Sequence, residues 1–392
     1  MSAKDIGENA VTPLHADALI EQAMTTTGLE RFDSDSYREG LDVLLADYNQ
    51  YDHPAPLLER MRGGLVQSLV DRLKTTDYLA GRPDLLDRPV ERPLFVFGMP
   101  RTGTTLLSNL LACDPARRSA LTWEIERPVP PPTTATLKTD PRAIAKLAQE
   151  KAMLAARPEM GKYYRNSAIY PNECMFFMIH DFKGLALESR GKLKNYRDWL
   201  FATDMTSAYT YHKRFLQLLQ ADAPGTWNLK MPSHGLWLET LLATYPDARL
   251  VWAHRDPFTA TSSFCSILSM AHMGYTGTID HEWLGEDCSY QARLHLDRIM
   301  DSREALGHDR IVDVHYADIM ADPMRAVRRL YADLGDTLTP QAEAAMQAWL
   351  DENPQGKFGK HEYALAQYGL SVEALTPQFE RYLSAYDVAR EG

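Results

Sequence analysis

The residues best equipped for chemistry form one short run, Gly98-Met99-Pro100-Arg101-Thr102-Gly103-Thr104-Thr105. Its two glycines are separated by four residues, the spacing of a Walker A loop. Such a loop turns backbone N–H groups onto one point, with a helix N-terminus behind them, and so cradles an oxyanion. The hydroxyls of Thr104 and Thr105 add donors. A nucleoside triphosphatase carries Lys after the second glycine; here Thr104 stands there, and the cation lies inside the loop as Arg101. Arg is a planar fork of donors suited to phosphate or sulfate oxygens. The missing Lys weighs against ATP or GTP hydrolysis and fits a nucleotide whose 5′ end carries a different group. Two further cations, Lys230 and Arg255, also follow apolar runs closely.

The elements that must position these residues are legible as a pattern. Leu94-Phe95-Val96-Phe97 is a short apolar run that stops at Gly98, and Leu106-Leu107 with Leu110-Leu111 opens a helical pattern after the loop. Strand, glycine loop and helix make the first unit of an α/β sheet. Thr226 to Leu229, Arg249 to Ala253 and Arg310 to Val314 repeat the buried-strand signal, with helical stretches between them. The alternation predicts an α/β fold: a P-loop-like parallel sheet flanked by helices. In such sheets ligands bind beyond the carboxyl ends of the strands, where Arg101, Lys230 and Arg255 cluster.

Two regions lie outside this alternation. Residues 1–90 read as an N-terminal helical layer, with Leu57-Leu58, Met61, Leu65, Leu69 and Leu73 at helical spacing. Residues 91–392 form the α/β domain. Within it, about 125–225 is a helical, aromatic-rich insertion that opens on Pro128-Val129-Pro130-Pro131-Pro132. Tyr170, Phe177, Tyr196, Trp199 and Tyr209 lie there. They could wall an apolar acceptor pocket, but for most of them core packing is the simpler reading.

Composition narrows the class. The 392 residues are 45% apolar, which suits a globular protein. Fifty-three acidic residues outnumber 42 Lys and Arg, a net charge of −11, and this argues against general nucleic-acid binding. Cys113, Cys174, Cys265 and Cys288 show no paired metal spacing, and no two histidines stand at ligand spacing on one helix face. No metal site is expected. Without a basic start and an apolar core in its first twenty residues, no secretion signal is expected, and no apolar run nears the ~20 residues of a membrane span. The expectation is a soluble, cytoplasmic protein.

The loop, read from Phe95 to Leu107, resembles the 5′-phosphosulfate loop of sulfotransferases that use 3′-phosphoadenosine 5′-phosphosulfate (PAPS). Val251-Trp252-Ala253-His254-Arg255-Asp256-Pro257, followed by Ser262-Ser263, is similar to their 3′-phosphate motif, with Arg255 at a strand end and Ser263 eight residues later. Leu111-Ala112-Cys113-Asp114-Pro115, Trp123-Glu124, Lys230-Met231-Pro232-Ser233-His234 and Gly356-Lys357-Phe358-Gly359 resemble the bacterial-type branch with a long N-terminal helical region. The resemblance implies that Arg101, Thr102, Gly103, Thr104 and Thr105 hold the 5′-phosphosulfate and that Arg255 and Ser263 hold the 3′-phosphate. Many cytosolic members have Lys where Arg101 stands. Their C-terminal Arg-Lys-Gly is replaced here by Pro354-Gln355-Gly356, with Lys357 as the substitute contact.

Sulfuryl transfer needs a base for the acceptor proton, cations for the charge on the leaving oxygen, and a pocket that aligns the acceptor. No metal is required, because the leaving group carries a single 5′ phosphate whose charge Arg or Lys can stabilise. Arg101, assisted by Lys230, suits the leaving oxygen. Three residues compete as base: Glu124, near where the resemblance places a catalytic Glu; His234, which resembles the catalytic His of cytosolic members; and Glu173 in the insertion. The expected activity is transfer from PAPS, releasing PAP, to a hydroxyl of a small apolar or aromatic acceptor. A P-loop nucleotide kinase and a non-catalytic PAP-binding protein are the alternatives. The resemblance suggests a homodimer.

Overall fold

The structure is a computed structural model that describes residues 13–51, 53–157, 167–354 and 364–391. Five parallel strands form one sheet: β1 (Leu94–Gly98), β2 (Arg117–Arg118), β3 (Thr226–Lys230), β4 (Arg249–His254) and β5 (Ile311–His315), in the order β2-β3-β1-β4-β5. All five residues of β1 are buried. Both of its faces are covered, which is why it reads as an unbroken apolar run and not as an alternation. Phe95 and Phe97 point into one core with Leu69 and Leu73. Leu94 and Val96 point into the opposite one with Leu107, Leu110 and Val251.

The four expected strands are present. The short edge strand β2 was not foreseen. It consists of two arginines, and no apolar pattern announces it. It is held by pairing to β3, with Arg118 opposite Trp227, and by ion pairs from Arg117 to Asp336 and from Arg118 to Glu124.

The register decides what the sheet presents. Val96 lies opposite Lys230 on one side and Val251 on the other, and Gly98 lies opposite Ala253. The carboxyl ends of β1, β3 and β4 therefore share one edge of the sheet, with Lys230 closing β3 and Arg101 and Arg255 following β1 and β4. Because β3 and β4 flank β1, the glycine loop sits between the other two strand ends.

Helices α1 (Ala16–Thr27), α2 (Ser36–Tyr48) and α3 (Ala55–Gly81) share the Phe95 side of the core with the sheet. Arg72 of α3, 1% exposed, pairs with Asp33 at 2.8 Å and with Asp181 of the insertion at 2.8 Å. The insertion contributes α5 (Thr122–Glu126) and the longer helices Pro141–Ala156, Lys194–Ala202 and Thr206–Leu219. Phe177, Tyr196, Tyr209 and Tyr211 are buried in the main core, as are Trp227 and Trp252, so core packing accounts for them. No helix among the described residues is long and apolar enough to cross a membrane.

Candidate active site

The loop after β1 is shaped by three residues with positive φ. Gly103 has φ 86°, and a Cβ there would stand 2.7 Å from the Tyr316 ring. At Gly98 a Cβ would stand 2.6 Å from the Ala253 carbonyl oxygen. Arg101 holds φ 72°, a conformation that costs a non-glycine residue about 1 kcal/mol or more. The Thr102 hydroxyl donates to the Met99 carbonyl at 2.9 Å and pins the turn from inside. Helix α4 (Thr104–Leu111) follows at once, with Gly103 at its N-cap and no side chain capping it. The loop and the uncapped first turn of this helix thus have the arrangement that an oxyanion cradle needs.

The cations converge on this cradle. Arg101 donates through Nε to the Ser263 hydroxyl at 3.0 Å. Arg255 donates through Nη1 to the Arg101 carbonyl at 2.7 Å, and its guanidinium lies over the Tyr316 ring at 4.0 Å. Its Nε and Nη2 grip the Glu391 carboxylate at 2.6 and 2.8 Å. Arg255 therefore already presents a two-pronged fork to an oxyanion. Asp256, which follows it, caps the helix Pro257–Thr276 that carries Ser263, so the turn there is structural. Lys230 is 2% exposed. Its Nζ donates to Thr105 Oγ1 at 3.3 Å and to Glu173 Oε1 at 2.6 Å.

The three candidate bases separate sharply. Glu173 is brought to the loop by Lys230, because the Cys174 N–H donates to the Lys230 carbonyl at 3.0 Å and lays the two segments side by side. Glu124 is fully buried elsewhere. Both of its oxygens are taken up by the Arg118 guanidinium, and Oε2 also accepts from the Leu121 N–H. It ties β2 to α5. His234 is also fully buried, edge-on to Phe95 at 4.8 Å, with Nδ1 on the Tyr209 hydroxyl at 2.8 Å. Burial and the neighbouring His212 hold its pKa well below the usual imidazole range. The structure thus brings Arg101, Thr102, Gly103, Thr104, Thr105, Lys230, Arg255 and Ser263 to one place, while Glu124 and His234 are fully buried against partners of their own. Lys357 lies outside the described residues. Tyr316 and Glu391 were not picked out from the sequence. Tyr316 follows the β5 run directly, so the strand-end rule that found Lys230 would have reached it.

A glycine-loop oxyanion cradle on the carboxyl edge of a parallel sheet, ringed by Arg and Lys, marks a P-loop-like group transferase. Residues 93–340 match the model of the sulfotransferase family, and the chain belongs to that family. Sulfotransferase STF9 from Mycobacterium avium superposes with a TM-score of 0.91 at 42% identity, covering 99% of this chain and 100% of that one. Sulfotransferase STF1 from Mycobacterium tuberculosis H37Rv gives 0.84 at 32% identity, over 94% and 98% of the two chains. Among curated relatives, the omega-hydroxy-beta-dihydromenaquinone-9 sulfotransferase Stf3 of Mycobacterium bovis is 25% identical over 260 residues. The chain spans 62% of that relative's length. The chemistry of the family is sulfuryl transfer, which leaves the nucleotide-kinase alternative without support.

Proposed function

We propose that this chain moves a sulfuryl group from PAPS to a hydroxyl of an apolar acceptor, with Glu173 as the base. The observation that carries this reading is the Thr105–Lys230–Glu173 chain at the start of α4, where an ammonium and a carboxylate meet at the cradle's edge. The cradle fits the donor: no side chain caps the first turn of α4, so its N–H groups are left for an anion, and Arg255 already grips a carboxylate as it would a phosphate. When bound, PAPS supplies the sulfuryl group and leaves as PAP. Arg101 and the N–H groups of residues 102–105 hold the 5′ side; Arg255, with Ser263, holds the 3′-phosphate. Lys230 Nζ stabilises charge on the leaving oxygen. Glu173 Oε1 is held by Lys230, and Oε2 takes the acceptor's hydroxyl proton. An apolar acceptor is in keeping with the isoprenoid quinone named for the Stf3 relative.

Calorimetric titration with PAP, ADP and ATP–Mg²⁺ tests the donor. Clear preference for PAP is expected; preference for ATP–Mg²⁺, or binding of none of the three, overturns the reading. Glu173→Gln tests the base. It should retain PAP binding and lose about 10²–10⁴-fold in turnover. Wild-type turnover in that variant would return the proton to another group.

A further inference from the structure

Behind the Glu173–Lys230 pair, three residues from three distant segments meet in the core. Cys174 starts the helical turn Met175–Met178, His212 lies on the helix Thr206–Leu219, and His234 lies in the turn Pro232–Trp237 after β3. All three are buried, and the Cys174 Sγ and one ring nitrogen of each histidine lie within 4.8 Å of one another. Each histidine is oriented by a tyrosine hydroxyl: Tyr209 meets His234 Nδ1 at 2.8 Å and Tyr245 meets His212 Nδ1 at 2.6 Å. The Nε2 atoms of both histidines are buried without a hydrogen-bond partner. Leaving such an atom unsatisfied is costly, and here two of them occur in one aromatic pocket walled by Phe95 and Phe177.

We infer that Cys174, His212 and His234 form a structural site for a zinc-class ion, with Sγ and the two Nε2 atoms as ligands. The donor set is a thiolate and two imidazoles, the chemistry that zinc selects. The Nδ1–tyrosine hydrogen bonds are the outer contacts that fix ring orientation; with Nδ1–H donating to the tyrosine oxygen, Nε2 keeps its lone pair for the ion. Bond lengths of about 2.0–2.3 Å place ligand atoms ~3.5 Å apart, so the three need draw in by about an ångström. On binding, the Cys174 S–H bond breaks, the S–metal bond forms, and the proton passes to solvent; nothing is oxidised or reduced. Cys174 adjoins Glu173, and His234 stands four residues after Lys230, so the ion would staple the two segments that bear the pair. That binding does not depend on the sulfuryl-transfer reading.

The full chain, stripped with a chelator, loaded with Zn²⁺ and freed of excess, should retain one equivalent by elemental analysis, and X-ray absorption should count one sulfur and three nitrogen or oxygen ligands, two of them imidazoles and the third water. Cys174→Ala should abolish retention. Tyr209→Phe, which keeps the ring, should weaken binding about 10–100-fold. Zn²⁺ should raise the melting temperature of the wild type and not of Cys174→Ala. A wild-type chain that is folded and retains no zinc overturns the proposal, as does retention undiminished in Cys174→Ala. If that variant does not fold, the ligand count in the wild type decides alone: any sphere without one sulfur and at least two imidazole nitrogens rejects the site.

Discussion

Two glutamates show how burial sorts identical side chains into different work. Glu173 keeps 19% of its side chain exposed and holds Lys230; Glu124 is fully enclosed and holds Arg118. Removing one partner of a buried ion pair strands the other charge, at about 3–5 kcal/mol. Glu124→Ala should therefore lower unfolding free energy by roughly that amount in denaturant titrations, while whatever folded protein remains binds PAP normally. Nucleotide binding that collapses without any loss of stability would put Glu124 back at the site. At the same scale, Arg255→Ala should weaken PAP far more than AMP, which lacks the 3′-phosphate. Equal losses would make Arg255 a structural residue.

At the scale of elements, the carboxyl edge of the sheet is built by register, and the loop after β1 by backbone conformation. Gly103 combines φ 86° with a 2.7 Å approach to Tyr316. Gly103→Ala should destabilise the chain by about 1–3 kcal/mol and weaken PAP by distorting the cradle; calorimetry with wild-type values for both would mean that the loop adapts. The C-terminal segment closes against the same edge, since the Glu391 N–H donates to Asp256 Oδ2 at 3.3 Å and its carboxylate occupies Arg255. An anion bound by Arg255 must displace it. Glu391→Gln should tighten PAP severalfold, as a partly exposed ion pair is worth up to about 1 kcal/mol. Unchanged or weaker affinity would show that the tail does not compete.

Across the whole molecule, stability and pH are linked through carboxyls sealed in the core. Asp71 on α3 is 6% exposed, with Gln67 donating to it at 2.9 Å. Burial pushes its pKa up to about 7. The unfolded chain loses that proton near the ordinary carboxylate value, whereas the folded chain keeps it to near neutrality, so stability falls as pH rises between the two. Asp71→Asn should remove that loss. Urea unfolding at pH 5 and pH 8 should show the variant gaining a few kcal/mol on the wild type at the higher pH; parallel behaviour at both would mean that Asp71 ionises freely.

The parallel sheet was legible in the amino-acid order, because strands buried on both faces must be apolar throughout, as Leu94 to Phe97 is. So was the strand–glycine loop–helix unit, because a strand, two glycines and a helix start are local and contiguous. Arg101, Lys230 and Arg255 were legible for the same reason: strand ends in a parallel sheet share an edge. The pairings that the chain closes over long separations came only with packing. Glu124 looked as reactive as Glu173 until Arg118 claimed it, and His234 looked as basic as any imidazole until burial did. Edge strand β2 has no pattern of its own and exists through its pairing with β3. Cys174, His212 and His234 carry no spacing that marks a cluster, because their meeting depends on how the insertion folds against β3. Periodicity and local turns record what a residue does with its neighbours in sequence; charge pairing and ligand geometry depend on neighbours in space, which packing alone selects.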